Sequence, residues 1–214
     1  MSGALPLRAP LFPIAGAILF PRAQLPLHIF EPRYREMVRD SVDGDGLIAI
    51  VQPQLVDGRD GREPPLYAVG CVGEIVGLEE LDDGRFNIVL NGSNRFRMIA
   101  EVDLDTPYRN ADLDVAAFDD REPEPLSLAR RAEVEREARR LGDALGLAVD
   151  WSAVSRLDDE MLVNAIAQVA PFDVSAKQAL LESETLESRS DLLVQLMQFL
   201  RLSQGGADLQ PTLQ

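Results

Sequence analysis

LDDGRFNIVLNGSNRFRM, Leu81 to Met98, carries two turn signals inside a run of β-forming residues. Asp83-Gly84 lies between the apolar runs Ala68–Val76 and Arg85–Leu90, and Asn91-Gly92 follows the second of them. Such pairs tolerate positive φ and so mark tight reversals between antiparallel strands. The stretch therefore reads as two linked hairpins, with Phe96–Val102 as the next strand. Working outward, Leu47–Val51 is a further β run. Pro32 stands where the first turn of a helix accepts proline, so Arg33–Val42 reads as one short helix ended by Gly44. The chain before Asp119 is mixed and mostly β.

Beyond it the apolar period changes. Residues 119–125, with two prolines and mostly charge, read as a linker. Val134, Ala138, Leu141 and Leu145 then recur at helical steps, and Leu157, Met161 and Ala165, with Leu162 and Ile166 beside them, make a second stripe. Asp173 is placed to cap a third helix running to Glu182, and Arg189, Leu193, Leu196 and Leu200 mark a fourth. Stripes of this length bury against one another, so the expectation is a helical bundle. The resulting organisation is an α+β chain: a β subdomain over 1–118, the linker, a bundle over 126–203, and an aperiodic, disordered tail over 204–214.

The 214 residues include 21 Lys and Arg against 36 Asp and Glu, a net charge of −15, which argues against a general nucleic-acid binder. A single cysteine, Cys71, excludes an intramolecular disulfide and suits a reducing cytoplasm. The apolar run from Leu11 to Pro21 is broken by Pro13 and Gly16 and is too short to cross a bilayer, and the N-terminus lacks the pattern of a secretory leader. Catalytic chemistry is scarce. Lys177, the only lysine, follows Ala176, so there is no Gly-Lys phosphate loop. His28, the only histidine, has no G-x-S-x-G elbow to serve and reads as a satisfied structural residue. Ser175 and Lys177 stand two apart on a helix, where side chains do not face each other. No metal-ligand spacing is present. The reading is a protein without catalytic residues, metal or cofactor.

Several ordered motifs resemble the N-terminal substrate-binding domain of Lon proteases: PLFPIAGAILFPRAQLPLHIFEPRYREMV from Pro10 to Val38, Val69-Gly70-Cys71-Val72-Gly73, the Leu81–Met98 stretch, and Lys177-Gln178-Ala179-Leu180-Leu181-Glu182. The resemblance runs from about Leu5 to Leu202. It implies a PUA-like pseudo β-barrel followed by a C-terminal helical bundle. In the full protease this domain helps to recognise unfolded or damaged substrates and supports assembly, while ATP hydrolysis and peptide cleavage belong to later domains. The chain is expected to stop before those domains.

On this basis the chain is expected to bind unfolded polypeptides or hydrophobic peptides as a substrate-recognition, adaptor or holdase-like module in protein quality control, with a separate protease as a further partner. Pro13, Pro21, Pro26 and Pro32 stiffen the loops they punctuate. Apolar side chains held on stiff loops lose little entropy on capturing a client. The expected peptide-binding set is Phe12, Pro13, Phe20, Pro21, Leu25, Phe30 and Tyr34. Glu31, Arg33 and Arg95 are expected to form a structural ion pair tying the early loop to the second hairpin, since Arg favours bidentate carboxylate pairing. The alternative is an RNA-binding module of PUA-like fold, against which the acidic balance weighs. A tryptophan cage for a small ligand is excluded, because Trp151 is alone. No membrane association is expected, and the state is read as a monomer or weak dimer.

Overall fold

A run such as Leu47–Val51, apolar at every position, fits a strand covered on both faces. The computed structural model describes residues 6–54, 63–121 and 125–207. Its elements in chain order are β1 (Leu7–Pro13), β2 (Gln24–Ile29), α1 (Pro32–Asp43), β3 (Leu47–Val51), β4 (Val69–Glu80), β5 (Phe86–Val102), β6 (Asn110–Asp114), α2 (Leu128–Ala144), α3 (Trp151–Val154), α4 (Asp159–Val169), α5 (Val174–Glu182) and α6 (Leu186–Ala207). The fold is α+β, and the chain divides into two compact units, Met1–Arg121 and Glu122–Gln214.

In the first unit the strand order is β2-β5-β4-β3-β1-β6, and β5 pairs with β6 as well as with β4. The sheet therefore returns on itself, leaving β2, among the described residues, as an edge strand paired only with β5. Pro26 sits in β2, where a missing backbone donor is tolerated because one side of the strand is open. Alternation assigns the strand side chains to two apolar clusters. Ala9, Leu11, Ala49, Val51, Val72, Phe96, Ala111 and Leu113 pack together inside the ring. Phe12, Ile48, Ile50 and Cys71, one position along on the same strands, turn outward to meet Tyr34, Met37 and Val38 of α1. α1 begins with Pro32 in its first turn and ends at Gly44, as its sequence requires.

One turn signal is overturned. Asp83-Gly84 does make the β4–β5 reversal, with Gly84 at φ 74°. Asn91-Gly92 makes none, because β5 runs unbroken from Phe86 to Val102 and Gly92 pairs with Gly73 of β4. Glycine is needed there for a different reason. A Cβ at position 92 would lie 2.0 Å from the carbonyl oxygen of Phe20. The loop carrying Ile18, Leu19 and Phe20 lies directly on the strand, held by Arg22 N–H donating to Gly92 O at 2.8 Å and Gly92 N–H to Ala23 O at 2.9 Å.

The second unit is built from capped helices. The Asp173 side chain accepts from Ala176 N–H at 2.7 Å and Asp158 from Met161 N–H at 2.7 Å, while Ser127 opens α2 in the same way. Two buried cations finish helices at the other end. Lys177 Nζ donates to Gln168 O at 2.8 Å, and Arg189 Nε donates to Leu180 O at 3.1 Å with Nη1 on Asn164 Oδ1 at 2.9 Å. The lone lysine is thus a packing residue, its ammonium held below its ordinary pKa by burial. Met161, placed in the second apolar stripe by its spacing, is exposed; α4 buries Leu162, Val163 and Ala167 instead. α6 continues to Ala207, past the expected start of the tail at 204. Residues 122–124 of the expected linker and 208–214 of the expected tail lie outside the described residues. Among the described residues, no helix is long and apolar enough to cross a membrane.

Candidate functional site

The proline-framed segment before α1 divides into an inner and an outer part. Phe12 and Tyr34 are buried against each other with ring centroids 4.4 Å apart. Burial pushes the Tyr34 hydroxyl above its ordinary pKa, with the Arg33 guanidinium, 4.5 Å from the ring, opposing it. Phe20 is wholly buried, and Pro21 is buried beside it. These four residues, expected at the peptide-binding surface, are core. The reason is visible at Phe20 to Ala23, where a turn closed by Ala23 N–H to Phe20 O at 3.1 Å folds the segment back onto β5. Arg22 takes φ 61° in that turn, a left-handed position where glycine is usual. Pro13 and Leu25 are half-buried, and Phe30 is 61% exposed.

The expected ion pair is also divided. Arg33 Nε meets Glu31 at 3.1 Å and Nη1 meets Glu63 at 2.5 Å, both near the surface. Arg95 takes no part in this. Its Nε donates to Asp120 Oδ1 at 2.8 Å, and its backbone N–H donates to Asp120 Oδ2 at 2.6 Å. The Arg95 guanidinium lies 4.4 Å from the ring centre of Phe118. Asp120, read from sequence as linker, is a buried anchor for the end of the first unit.

What reaches solvent is the outer face of β2, β5 and β4. Pro26 of β2 and Gly77 of β4 both oppose Val89 of β5, and His28 and Glu79 both oppose Asn87. The three strands thus present an apolar row beside a polar one. Because Gly77 carries no side chain and any Cβ there would touch Val89 at 3.3 Å, the surface dips into a groove of about 480 Å³ lined by Pro26, Leu27, His28, Leu78, Glu79 and Val89 among others. The polar row runs in one sense. Arg85 Nη1 approaches His28 Nε2 at 3.2 Å, His28 Nδ1 approaches Asn87 Oδ1 at 2.8 Å, and Asn87 Nδ2 donates to Glu79 Oε2 at 2.8 Å. This order requires the Nδ1–H tautomer of His28. His28 is satisfied, as its sequence context suggests, yet it is exposed in the groove wall. Its ring stacks on Phe30, 6.3 Å away, which extends the apolar surface past the end of β2.

Pro26, Gly77, Val89 and Asn87 were not legible as site residues. The one available signal was the alternation Gln24, Pro26, His28, Phe30, which puts these side chains on a single face of an extended strand. Among the described residues, no group of three or more His, Cys, Asp or Glu side chains is placed to hold a metal ion.

Comparison with known proteins agrees with this architecture. A sequence profile of the family described as ATP-dependent protease La (LON) substrate-binding domain matches residues 8–198. The chain belongs to that family. It is 27% identical over 192 residues to Lon protease 2 of Myxococcus xanthus, covering 88% of this chain and 23% of that protein. It is 28% identical over 204 residues to Lon protease 2 of Sorangium cellulosum, covering 88% and 24%. The chain thus spans about a quarter of the length of these curated relatives. Among solved structures, a Lon N-terminal domain protein from Xanthomonas campestris superposes with a TM-score of 0.64 at 19% identity, over 88% of this chain and 98% of that one. The N-terminal domain of a Mycobacterium avium complex Lon protease gives 0.63 at 17%, over 90% and 98%. Both establish likeness of fold.

Proposed function

We propose that this chain binds unfolded or damaged polypeptide segments and does not transform them, acting as a substrate-recognition, adaptor or holdase-like module alongside a separate protease. The single observation that carries this reading is the groove on the outer face of β2, β5 and β4, apolar along Pro26, Val89 and Gly77 and continued by the exposed ring of Phe30, in a chain of the Lon substrate-binding family. Of the residues expected from sequence, Pro13, Leu25 and Phe30 remain candidates for client contact. The self-returning sheet supports a PUA-like pseudo-barrel, with the second unit as its helical bundle. The buried thiol of Cys71, outside any disulfide, fits work in the reducing cytoplasm, and the chain is read as a monomer or weak dimer. Nothing in the groove favours RNA: the wall carries Glu79, and Arg85 is engaged by Asp83 at 2.6 Å.

A fluorescently labelled, permanently unfolded polypeptide titrated with the protein is expected to bind with a Kd of about micromolar, changing little between low and high salt. Phe30→Ser should weaken binding roughly tenfold, because a large ring no longer leaves water on capture. Phe199→Ser, at a phenylalanine 73% exposed in the second unit, should change nothing. Equal binding by wild type and Phe30→Ser would contradict the assignment of this face.

A further inference from the structure

The second unit contains an apolar concavity of its own. Leu141 and Leu145 of α2 and its C-terminal cap, Trp151 of α3, Ala165 and Ile166 of α4 and Met197 of α6 line a pocket of about 220 Å³ with almost no polar surface. Its shape depends on Gly142, where a Cβ would come within 3.2 Å of Trp151 Cζ2, so glycine lets the indole lie against α2. An apolar cavity of about 150 Å³ accepts benzene. This one therefore has room for one phenyl-sized or branched aliphatic group and little more. Its rim is apolar too: Leu147 is 52% and Val169 79% exposed, and Pro171 is exposed beside them.

A cation stands at the same place. The Arg139 guanidinium lies 4.8 Å from the ring centre of Trp151. Neighbouring arginines of α2 are engaged: Arg131 by Asp159 at 2.6 Å and Glu135 at 3.0 Å, and Arg140 by Glu137 at 2.7 Å. Among the described residues no carboxylate pairs with Arg139. Stacking occupies the face of a guanidinium and leaves its edge N–H donors available for a carboxylate. A ligand that fills the pocket thus meets an uncommitted positive charge as it leaves.

We propose that this pocket holds one bulky apolar side chain of a polypeptide whose neighbouring residue is acidic, with that carboxylate paired to Arg139. The charge selects an anionic neighbour, and the apolar rim beyond the pocket favours a ligand that continues past it, as a chain does and a small molecule does not. The inference rests on the polypeptide-binding reading for the kind of ligand, and assigns a second contact to the other unit.

Trp151 is the only tryptophan, so its emission reports the pocket directly. The probe is the capped heptapeptide Gly-Ser-Asp-Phe-Asp-Ser-Gly, titrated against the whole chain. A saturable change in emission is expected, absent when Phe is replaced by Ala and at least tenfold weaker in affinity when both Asp are replaced by Lys. Arg139→Glu, at an exposed residue, should invert the preference between the Asp and Lys peptides. Ala165→Phe, which fills the pocket, should abolish binding with the helical circular dichroism unchanged. No saturable change at millimolar peptide, or the same affinity and charge preference in Arg139→Glu, would overturn the proposal. So would N-acetyl-phenylalaninate binding as tightly as the heptapeptide. Phe30-dependent capture of unfolded client without any Trp151 response would sink this inference alone, whereas a Trp151 response without client capture would sink the earlier reading alone.

Discussion

Asp120→Ala should lower the stability of the first unit by about 3–5 kcal/mol, the range found when one partner of a buried ion pair is removed. The side chains of Arg95 and Asp120 are only 2% and 4% exposed. Deleting the carboxylate would leave a guanidinium away from water and would also strip the acceptor from the Arg95 backbone N–H. Small domains are stable by only about 5–15 kcal/mol, so the variant should unfold at a much lower urea concentration. Asp119→Ala provides the contrast: its partner Arg121 is 89% exposed, and no measurable change is expected. Replacing both members of the buried pair, Arg95→Met with Asp120→Leu, should be less harmful than Asp120→Ala alone, since the buried guanidinium then leaves together with its carboxylate. Urea unfolding followed by the β-sheet circular dichroism signal checks all three. An Asp120→Ala loss under about 1 kcal/mol would show that the pair does not anchor the unit.

Gly92→Ala is expected to have the second largest effect, about 2–4 kcal/mol, the size seen when core packing is broken. Its Cβ would sit 2.0 Å from Phe20 O and 2.8 Å from Phe20 C, both backbone atoms with no rotamer to escape into. The loop would have to lift from β5 and carry Ile18, Leu19 and Phe20, all nearly or wholly buried, towards water. Gly46→Ala separates this steric effect from a conformational one. Gly46 has φ 75° but nothing within 4 Å of a Cβ, so its substitution should cost only about 1–2 kcal/mol of backbone strain. If the Gly46 variant proved the less stable of the two, the close approach of the loop to β5 would be wrong.

The difference between local and long-range information explains how much could be read in advance. β3, the start and stop of α1, and the Asp173 cap were legible because each depends on residues within one turn or one alternation. Asn91-Gly92 misleads because the turn signal and the close-approach requirement use the same residue type, and only the distant segment around Phe20, remote in sequence but in contact in space, tells them apart. Phe20 and Pro21 misled similarly: prolines mark loops, and loops are usually exposed, but this loop brings three consecutive apolar residues to plug one side of the sheet. Arg95 was expected to join Glu31 and Arg33, but its carboxylate is Asp120, in a segment that composition assigns to a linker. α3, a helix of only four residues, offers no period to detect. The groove was hidden because it depends on Gly77, whose contribution is the side chain it lacks.

The claim that the outer face of β2, β5 and β4 receives client polypeptide is tested most directly by site-specific photocrosslinking. A photoreactive side chain is placed in turn at positions 26, 30 and 199 of the whole chain, and each is irradiated with the labelled unfolded polypeptide. Crosslinks should form at 26 and 30, be competed by excess unlabelled client, and be weak or absent at 199. Crosslinking at 199 with none at 26 or 30, or equal yields at all three that resist competition, would contradict the account.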